Sequence, residues 1–202
     1  MIHRFKILFC SMLFLLSGCE EDPSEGPLLP ALGTSAEVVP MPTEFFVGTA
    51  DQRVKQDELV GQTMPPLLVE DWRNGELTRE DLLGKIVLVD FWATWCVPCF
   101  ESLPKRNALL AQYADQGFVI LGVCGSKAGQ DQYDGMLALH PMDYPTARDP
   151  STAFGDWWRV MWMPTYALVD RNGVIRGVGL HPEKLEEALL WLLEEQPGEA
   201  AE

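Results

Sequence analysis

The segment Ile86–Trp92 constrains the fold most strongly. Its seven residues are, apart from one aspartate, aliphatic, β-branched or aromatic, which predicts a strand that is buried on both faces. The segment 118–124 has the same character. Strands buried on both faces belong to the middle of a sheet that helices cover on both sides. Because amphipathic helical patterns follow both segments, the sequence predicts an α/β domain around a mixed sheet flanked by helices.

Weaker patterns complete the expected order of elements. A strand at 66–72, a turn at Asn74-Gly75 and a return through 76–77 predict an N-terminal β-hairpin extension. A second hairpin is expected around Arg171-Asn172-Gly173. The expected helices are 78–83, 98–114, 130–139, 152–158 and 182–193, and the second hairpin joins strands 165–169 and 174–178.

The first residues have the pattern of an export signal. Arg4 and Lys6 precede an apolar run of about ten residues, which is too short to span a bilayer, since spanning needs roughly 20. The run ends in Leu16-Ser17-Gly18-Cys19, which resembles a bacterial lipobox. On that resemblance residues 1–18 are removed and Cys19 carries the lipid that holds the chain to a membrane. The alternative is a plain secretory signal with an incidental cysteine.

A proline-rich segment separates this signal from the domain. Residues 19–57 contain five prolines, which disfavour helix and central strand, so we expect a mostly extended, lipidated tether. The apolar patch 44–47 could dock on the domain or contact a membrane surface. We expect the folded domain at 58–196 and a disordered tail at 197–202.

Composition excludes some classes of protein. Hydrophobic residues make up 47% of the chain, enough for a packed core, and the formal net charge is −15. An acidic surface repels phosphate backbones, which argues against a nucleic-acid partner.

Two cysteines stand where chemistry is expected, directly after the strongest predicted strand. Trp95-Cys96-Val97-Pro98-Cys99 ends that strand and opens a helix. The unpaired N–H groups and partial positive charge of a helix start lower a cysteine pKa, so its thiolate forms near neutral pH. We expect Cys96 to attack a disulfide and Cys99, one turn later, to resolve the mixed disulfide. Pro98 suits a first helical turn, where its missing N–H has no intrahelical partner.

This motif resembles the active site of thioredoxins. Together with Trp162-Met163-Pro164-Thr165 and the order of elements from about 61 to 193, it resembles the TlpA/ResA-like family of exported thioredoxins. The resemblance implies a thioredoxin fold and a thiol–disulfide oxidoreductase. It also implies a cis Pro164 packed against the cysteine pair, with the Met163 backbone free to pair with an extended substrate.

Asp90 lies six residues before Cys96, in the middle of the apolar strand. A buried carboxyl holds its proton more tightly than a free one, and the resemblance implies a proton relay to Cys99. The alternative is a structural carboxylate paired with a lysine such as Lys85. The ResA branch often has a glutamate three residues after the second cysteine, but this chain has Ser102 there.

The remaining site candidates surround the motif. Cys124 ends the second buried strand and is expected to be inert, and His140 and His181 receive no chemical role. We expect substrate contacts from the following residues: Trp95, Val97, Pro98, Trp162, Met163 and Thr165.

The resemblance also implies partners and a location. The partners would be oxidised or cysteine-containing exported proteins, such as apocytochrome c, and a membrane thiol electron donor. The cysteines carry the electrons, so no separate cofactor and no metal is expected. The domain would face the periplasm or the exterior of a bacterial cell, held by its lipid anchor.

Several alternatives share parts of this pattern. A disulfide-forming oxidase would use the same residues. A zinc site usually has four ligands and here lacks a second cysteine pair. A peroxidase of this fold has threonine where this chain has Ala93, and related copper-delivery proteins have a longer cysteine spacing and a distant histidine. An inert structural disulfide is the remaining possibility.

Overall fold

The computed structural model describes residues 38–195. The predicted signal peptide 1–18, the lipidation site Cys19 and the predicted tail 197–202 lie outside the described residues.

A six-stranded mixed sheet forms the centre of the domain. The strand order is β1-β4-β3-β2-β5-β6. The strands are β1 Glu70–Arg73, β2 Ile86–Trp92, β3 Phe118–Cys124, β4 Thr146–Arg148, β5 Thr165–Val169 and β6 Ile175–Val178.

Helices cover both faces of this sheet. The first precedes the sheet, the last closes the domain, and short 3₁₀ turns connect several of them. The helices are α1 Ala50–Asp57, α2 Arg79–Leu82, α3 Val97–Glu101, α4 Leu103–Tyr113, α5 Tyr133–Leu139, α6 Ala153–Trp157 and α7 Leu185–Glu194.

Strand β2 is central, as its composition predicts. It pairs in parallel with β3 over seven residues and antiparallel with β5, and all seven of its side chains are buried. Because side chains alternate across a strand, Ile86, Leu88 and Trp92 pack on one face. Val87 and its alternate neighbours pack on the other face. Asp90 therefore belongs to the face of Leu88 and Trp92.

The predicted helix 98–114 is divided into α3 and α4 at Ser102. Pro104 lies in the first turn of α4. A proline has no N–H to donate to the carbonyl four residues earlier, which here belongs to Phe100, and its ring crowds that carbonyl. The break follows from this one residue. Leu103 and Leu109 of α4 are buried.

The predicted N-terminal hairpin is wrong in its pairing. Residues 76–77 form no strand, and β1 instead pairs antiparallel with β4, which was not predicted. Asn74 and Gly75 do form a turn, with φ of 61° and 108°. The Asn74 side chain donates to the Met142 carbonyl oxygen at 2.8 Å, so the turn is fastened to the loop before β4. Residues 76–77 lead into α2 and form no strand hydrogen bonds with β1.

The expectation of an extended chain up to Asp57 is also wrong from residue 43 onward. No proline follows Pro42 in this segment, and Thr49 and Gln52 form a capping box that starts α1. We call residues 41–57 the N-terminal clasp. The Val47 N–H donates to the Gly179 carbonyl at 2.9 Å.

The apolar patch 44–47 docks on the domain, the first of its two expected alternatives. Phe45 is buried in the core and Phe46 packs against it. The His181 N–H donates to the Phe45 carbonyl at 2.8 Å, and Phe46 forms an isolated antiparallel bridge with Leu180. The clasp therefore runs beside the chain that follows β6.

Within residues 38–195, no helix is long and apolar enough to cross a membrane.

If the clasp is part of the core, removing Phe45 must destabilise the domain. We expect Phe45→Ala to lower the free energy of unfolding by about 3 kcal/mol, because it removes a buried ring and leaves a cavity. Val54→Ala, at a position 62% exposed on the same clasp, should change it by less than about 0.5 kcal/mol. Urea unfolding followed by tryptophan fluorescence measures both. Equal small effects would show that the clasp contributes nothing to the core.

Candidate active site

The two motif cysteines lie at the end of β2, where the chain turns into α3. They form a disulfide, with an S–S distance of 2.02 Å. Cys96 is the N-cap residue of α3, and the Cys99 N–H points at the Cys96 sulfur, with a nitrogen–sulfur distance of 3.3 Å. In the reduced protein this N–H would donate to a Cys96 thiolate, and hydrogen bonds to a charged acceptor are the stronger kind. Pro98 occupies the first turn of α3, as predicted.

The disulfide is almost covered, but its neighbours are not. Cys96 is 2% exposed and Cys99 is fully buried. Trp95 and Val97 are 58% and 63% exposed, and the Trp95 indole N–H donates to the Ser126 hydroxyl at 2.9 Å. Large apolar side chains exposed around a buried sulfur suit a contact surface for another molecule.

Clefts open on both sides of Trp95. One, of about 320 Å³, also includes Trp162 and Met163. The other, of about 450 Å³, also includes Val97 and the Phe100–His140 pair, whose rings stack with centroids 4.2 Å apart. The structure thus brings four of the six predicted contact residues to the walls of these clefts.

The loop before β5 contains a cis peptide bond between Met163 and Pro164, as the resemblance implied. Met163 packs against the core cluster that contains both cysteines. Thr165 differs from its prediction as a substrate contact, since it is fully buried and its hydroxyl donates to the Trp162 carbonyl at 2.6 Å. Thr165 is the first residue of β5, so its side chain lies within the sheet, and its hydrogen bond fixes the loop that precedes the strand.

Asp90 is fully buried beneath the site. Its Oδ2 accepts a hydrogen bond from the Tyr144 hydroxyl at 2.8 Å and lies 2.9 Å from Nε of Arg106. Its cationic partner is therefore Arg106, and the suggested pairing with Lys85 is wrong. Burial raises the pKa of the Asp90 carboxyl, and the Arg106 charge opposes that rise. Oδ1 has no hydrogen-bond partner among the described residues.

Arg106 is the principal site residue that the sequence reasoning missed. It is fully buried and links the carboxylate to the active-site helix. Its guanidinium donates to Tyr144 Oη at 3.0 Å, Ser102 Oγ at 2.6 Å, Tyr166 Oη at 2.8 Å and the Cys99 carbonyl oxygen at 2.8 Å. One signal could have revealed it. Arg106 lies three residues after the inward-facing Leu103, which places a charge on the apolar face of the helix.

Ser102, which stands where the ResA branch has a glutamate, belongs to the same network. Besides accepting from Arg106, its hydroxyl lies 3.0 Å from the Tyr166 hydroxyl. The neighbouring Glu101 is exposed. Neither Ser102 nor Glu101 therefore supplies a buried acidic side chain where the ResA branch has its glutamate.

The other candidates lie apart from the disulfide chemistry. Cys124 is buried, and burial raises the pKa of its thiol to about 11. His181 accepts a hydrogen bond at Nδ1 from the Glu183 N–H, which caps the turn before α7. In the described part of the chain, no cluster of three or more histidine, cysteine, aspartate or glutamate residues could hold a metal ion.

Comparison with known proteins places this geometry in a family. The family model described as Redoxin matches residues 59–190. The chain belongs to the Redoxin family.

Relatives and solved structures agree with that assignment. The chain is 27% identical over 121 residues to the thiol-disulfide oxidoreductase ResA of Bacillus cereus, covering 60% of this chain and 69% of the relative. It is 30% identical over 121 residues to ResA of Geobacillus kaustophilus, covering 59% and 68%. The crystal structure of a thiol-disulfide isomerase from Corynebacterium glutamicum superposes with a TM-score of 0.57 at 25% identity, covering 66% of this chain and 98% of that one.

The thioredoxin fold and the ResA-type resemblance are thereby confirmed. With a cysteine pair closed as a disulfide, the chain is a thiol–disulfide oxidoreductase. The cysteine pair itself carries the two electrons that such a reaction transfers, holding them as a dithiol and giving them up when the disulfide forms, so the chemistry needs no further cofactor.

Proposed function

We propose that this protein reduces disulfides of exported proteins at the bacterial cell envelope, to which the lipid on Cys19 anchors it. The observation that carries the proposal is the Cys96–Cys99 disulfide at the start of α3, with exposed apolar side chains around it. The lipobox-like sequence before Cys19 and the short apolar run support the proposed location.

The reaction begins from the reduced pair. The Cys96 thiolate attacks one sulfur of a substrate disulfide, and the other substrate sulfur leaves with the electron pair of the broken bond. Cys99 then loses its proton and attacks Cys96, which releases the second substrate sulfur as a thiolate. The substrate gains two electrons, and the protein is left with the disulfide present in this structure. A membrane thiol donor would reduce that disulfide for the next cycle.

Asp90 is the group that we assign to receive the Cys99 proton. It is a buried carboxyl with a raised pKa, and its Oδ1 has no partner among the described residues. An unsatisfied buried oxygen is costly in a folded protein and is often explained by a functional role or a bound water. The raised pKa brings this carboxyl nearer to the range in which a group exchanges protons efficiently at neutral pH.

Substrate would bind across the two clefts beside Trp95. Trp95 and Val97 are the most exposed apolar side chains next to the disulfide, and Met161 adds a further 39% exposed side chain to the cleft of Trp162 and Met163. An extended segment could pair with the backbone at Met163 as an added strand, with its side chains in the clefts. The exported partner would thus be a protein with an accessible, locally unfolded cysteine region, such as an apocytochrome c.

The roles of the two cysteines predict distinct variant phenotypes. Cys96→Ser should abolish reduction of insulin by the dithiothreitol-reduced protein. Cys99→Ser should retain the first attack and accumulate a mixed disulfide, which a non-reducing gel detects. Cys124→Ala is the matched control and should keep activity, because the Cys124 thiol is buried and protonated at neutral pH. An active Cys96→Ser variant would overturn the assignment of the nucleophile.

The reduction potential of the Cys96–Cys99 pair tests the direction. A reductase supplied with electrons across the membrane should have a potential near roughly −270 mV, as thioredoxin has. Equilibration with glutathione or dithiothreitol buffers, read by alkylation of the free thiols, measures it. A value near roughly −120 mV would instead identify a protein that donates disulfides, with the same site working in the opposite direction.

The anchor has its own test. We expect the full-length protein to sediment with membranes, and Cys19→Ala to release it or leave its signal uncleaved, because acyl chains can no longer be attached. Fractionation without detergent, with immunodetection of the domain, measures the distribution. A Cys10→Ala variant is the control cysteine within the apolar run. Membrane association of a Cys19→Ala protein whose signal has been cleaved, as its size on the gel shows, would refute the lipid anchor.

A further inference from the structure

We propose that Arg106 is a positioning residue of the resolving step, which holds the Asp90 carboxylate in place and ties its ionisation to Cys99. This inference rests on the proposed function and adds a residue to it. It is carried by the contacts of one buried guanidinium that touches both the carboxylate and the second cysteine's backbone.

The first argument is geometric. Arg106 lies on α4, Asp90 on β2 and Cys99 on α3. The Asp90 Oδ2 lies 2.9 Å from Arg106 Nε, and the Cys99 carbonyl oxygen accepts from Nη2 at 2.8 Å. The fork of a guanidinium is planar and rigid. It therefore fixes the carboxylate relative to the helix turn that carries the resolving sulfur.

The second argument concerns the carboxylate oxygens. Arg106 and Tyr144 both engage Oδ2, and Oδ1 is left without a partner in the part of the chain that the structure describes. The network thus determines which oxygen is open to take a proton. A leucine at position 106 could pack in the core, but it would give Oδ2 no hydrogen bond to distinguish it from Oδ1.

The third argument is energetic. Taking a charge pair out of water costs several kcal/mol per ion, and replacing such a pair by packed apolar groups is often neutral or stabilising. Stability alone is thus a poor reason to keep Arg106 and Asp90 in the core, where both side chains are fully buried. Control of a proton in the reaction is a sufficient reason.

The charged and titratable groups that face the Asp90–Arg106 pair come from three elements of the fold. Arg106 on α4 is the cation, and Tyr144 before β4 and Tyr166 on β5 face the pair. Burial raises the pKa of both tyrosines, that of Tyr166 to about 12, so both stay neutral. Tyr144 donates to Asp90, and Tyr166 accepts from Arg106. When Asp90 is ionised the pair is neutral. When Asp90 takes the Cys99 proton, the guanidinium charge is left uncompensated while its Nη2 still donates to the Cys99 carbonyl oxygen, and this positive charge favours the new thiolate.

This arrangement gives a signed expectation for pH. The resolving step needs an ionised Asp90, so its rate rises as the pH passes the pKa of that carboxyl. Arg106 opposes the upward effect of burial on this pKa. Removing the guanidinium therefore moves the rising limb of the pH–rate profile to higher pH.

The test isolates the resolving step in the full-length protein. Reduced protein is mixed with dithiobis-nitrobenzoic acid, an aromatic disulfide that leaves a coloured thiolate. The first release reports attack by Cys96, and the second reports resolution by Cys99. Any slow phase that persists in Cys99→Ser is not resolution and is subtracted. Stopped-flow measurement of the second release over a pH series gives the pH–rate profile of resolution and the position of its rising limb.

We expect Arg106→Leu to move the limb upward by about one pH unit or more, which is about tenfold in the proton equilibrium. Arg106→Lys should move it less, because the charge remains and the fork is lost. Tyr144→Phe, which removes one donor from Oδ2, should also move it upward and serves if Arg106→Leu does not fold. Asp90→Asn should lack the limb altogether.

Arg176→Leu is the matched control. Arg176, on β6, is a second buried arginine and is paired with Asp170 and Glu195. Its loss should change stability but not the rising limb of the pH–rate profile. An unchanged limb in the Arg106 and Tyr144 variants would overturn the proposal, as would an equal shift in Arg176→Leu. The proposed function would survive both of those results. It would fail only if the unmodified protein had no second release.

Discussion

The burial of β2 on both of its faces is the constraint on which the rest of this domain depends. A strand with seven buried side chains must lie inside the sheet, and its neighbours must be long enough to cover it. The end of this strand fixes where the chain leaves the core. The cysteine pair lies there because the four residues after Trp92 turn the chain directly into α3.

The same constraint makes the burial of the Asp90 carboxylate energetically unfavourable. It sits in mid-strand on the face that packs under α4, where an unpaired carboxylate would be strongly disfavoured. The fold meets this with a cation from α4 and a hydroxyl donor, Tyr144, while the Tyr166 hydroxyl on β5 accepts a hydrogen bond from that cation. Three separate parts of the chain must come together before the carboxylate is tolerated. The network therefore forms only in the completed fold, and the site is assembled together with the core.

Sequence patterns predicted those parts that depend on local chemistry. Strands β2 and β3, the hairpin around Gly173 and the start of α3 follow from β-branched runs, a turn with φ of 76° at Gly173 and a proline in a first helical turn. The pairing of β1 with β4 could not be predicted in this way. A three-residue strand has little pattern of its own, and its partner lies more than 70 residues away.

Arg106 illustrates the second kind of failure. A charged residue on the apolar stripe of a helix is detectable from spacing, but its partner is decided by which strand lies below. The sequence suggested Lys85, whereas the fold supplies the cation from α4, the second helix after β2. The prediction for residues 43–57 failed for a related reason. The five prolines all lie within residues 19–42, and the expectation of an extended chain was applied also to a segment without proline.

The site combines a concealed sulfur with exposed neighbours, and this combination bears on how selectivity can arise. Cys96 is 2% exposed while Trp95 and Val97 are more than half exposed. A small disulfide has little to contact at such a surface, whereas a polypeptide can cover both side chains and bring its own sulfur down to Cys96. On the proposed function, the area available for binding lies in the apolar rim, and the disulfide and its buried hydrogen-bond network lie beneath it. Residues of the rim can therefore vary to suit a partner without disturbing the buried pair of Asp90, the proposed proton acceptor, and Arg106, its proposed positioning residue.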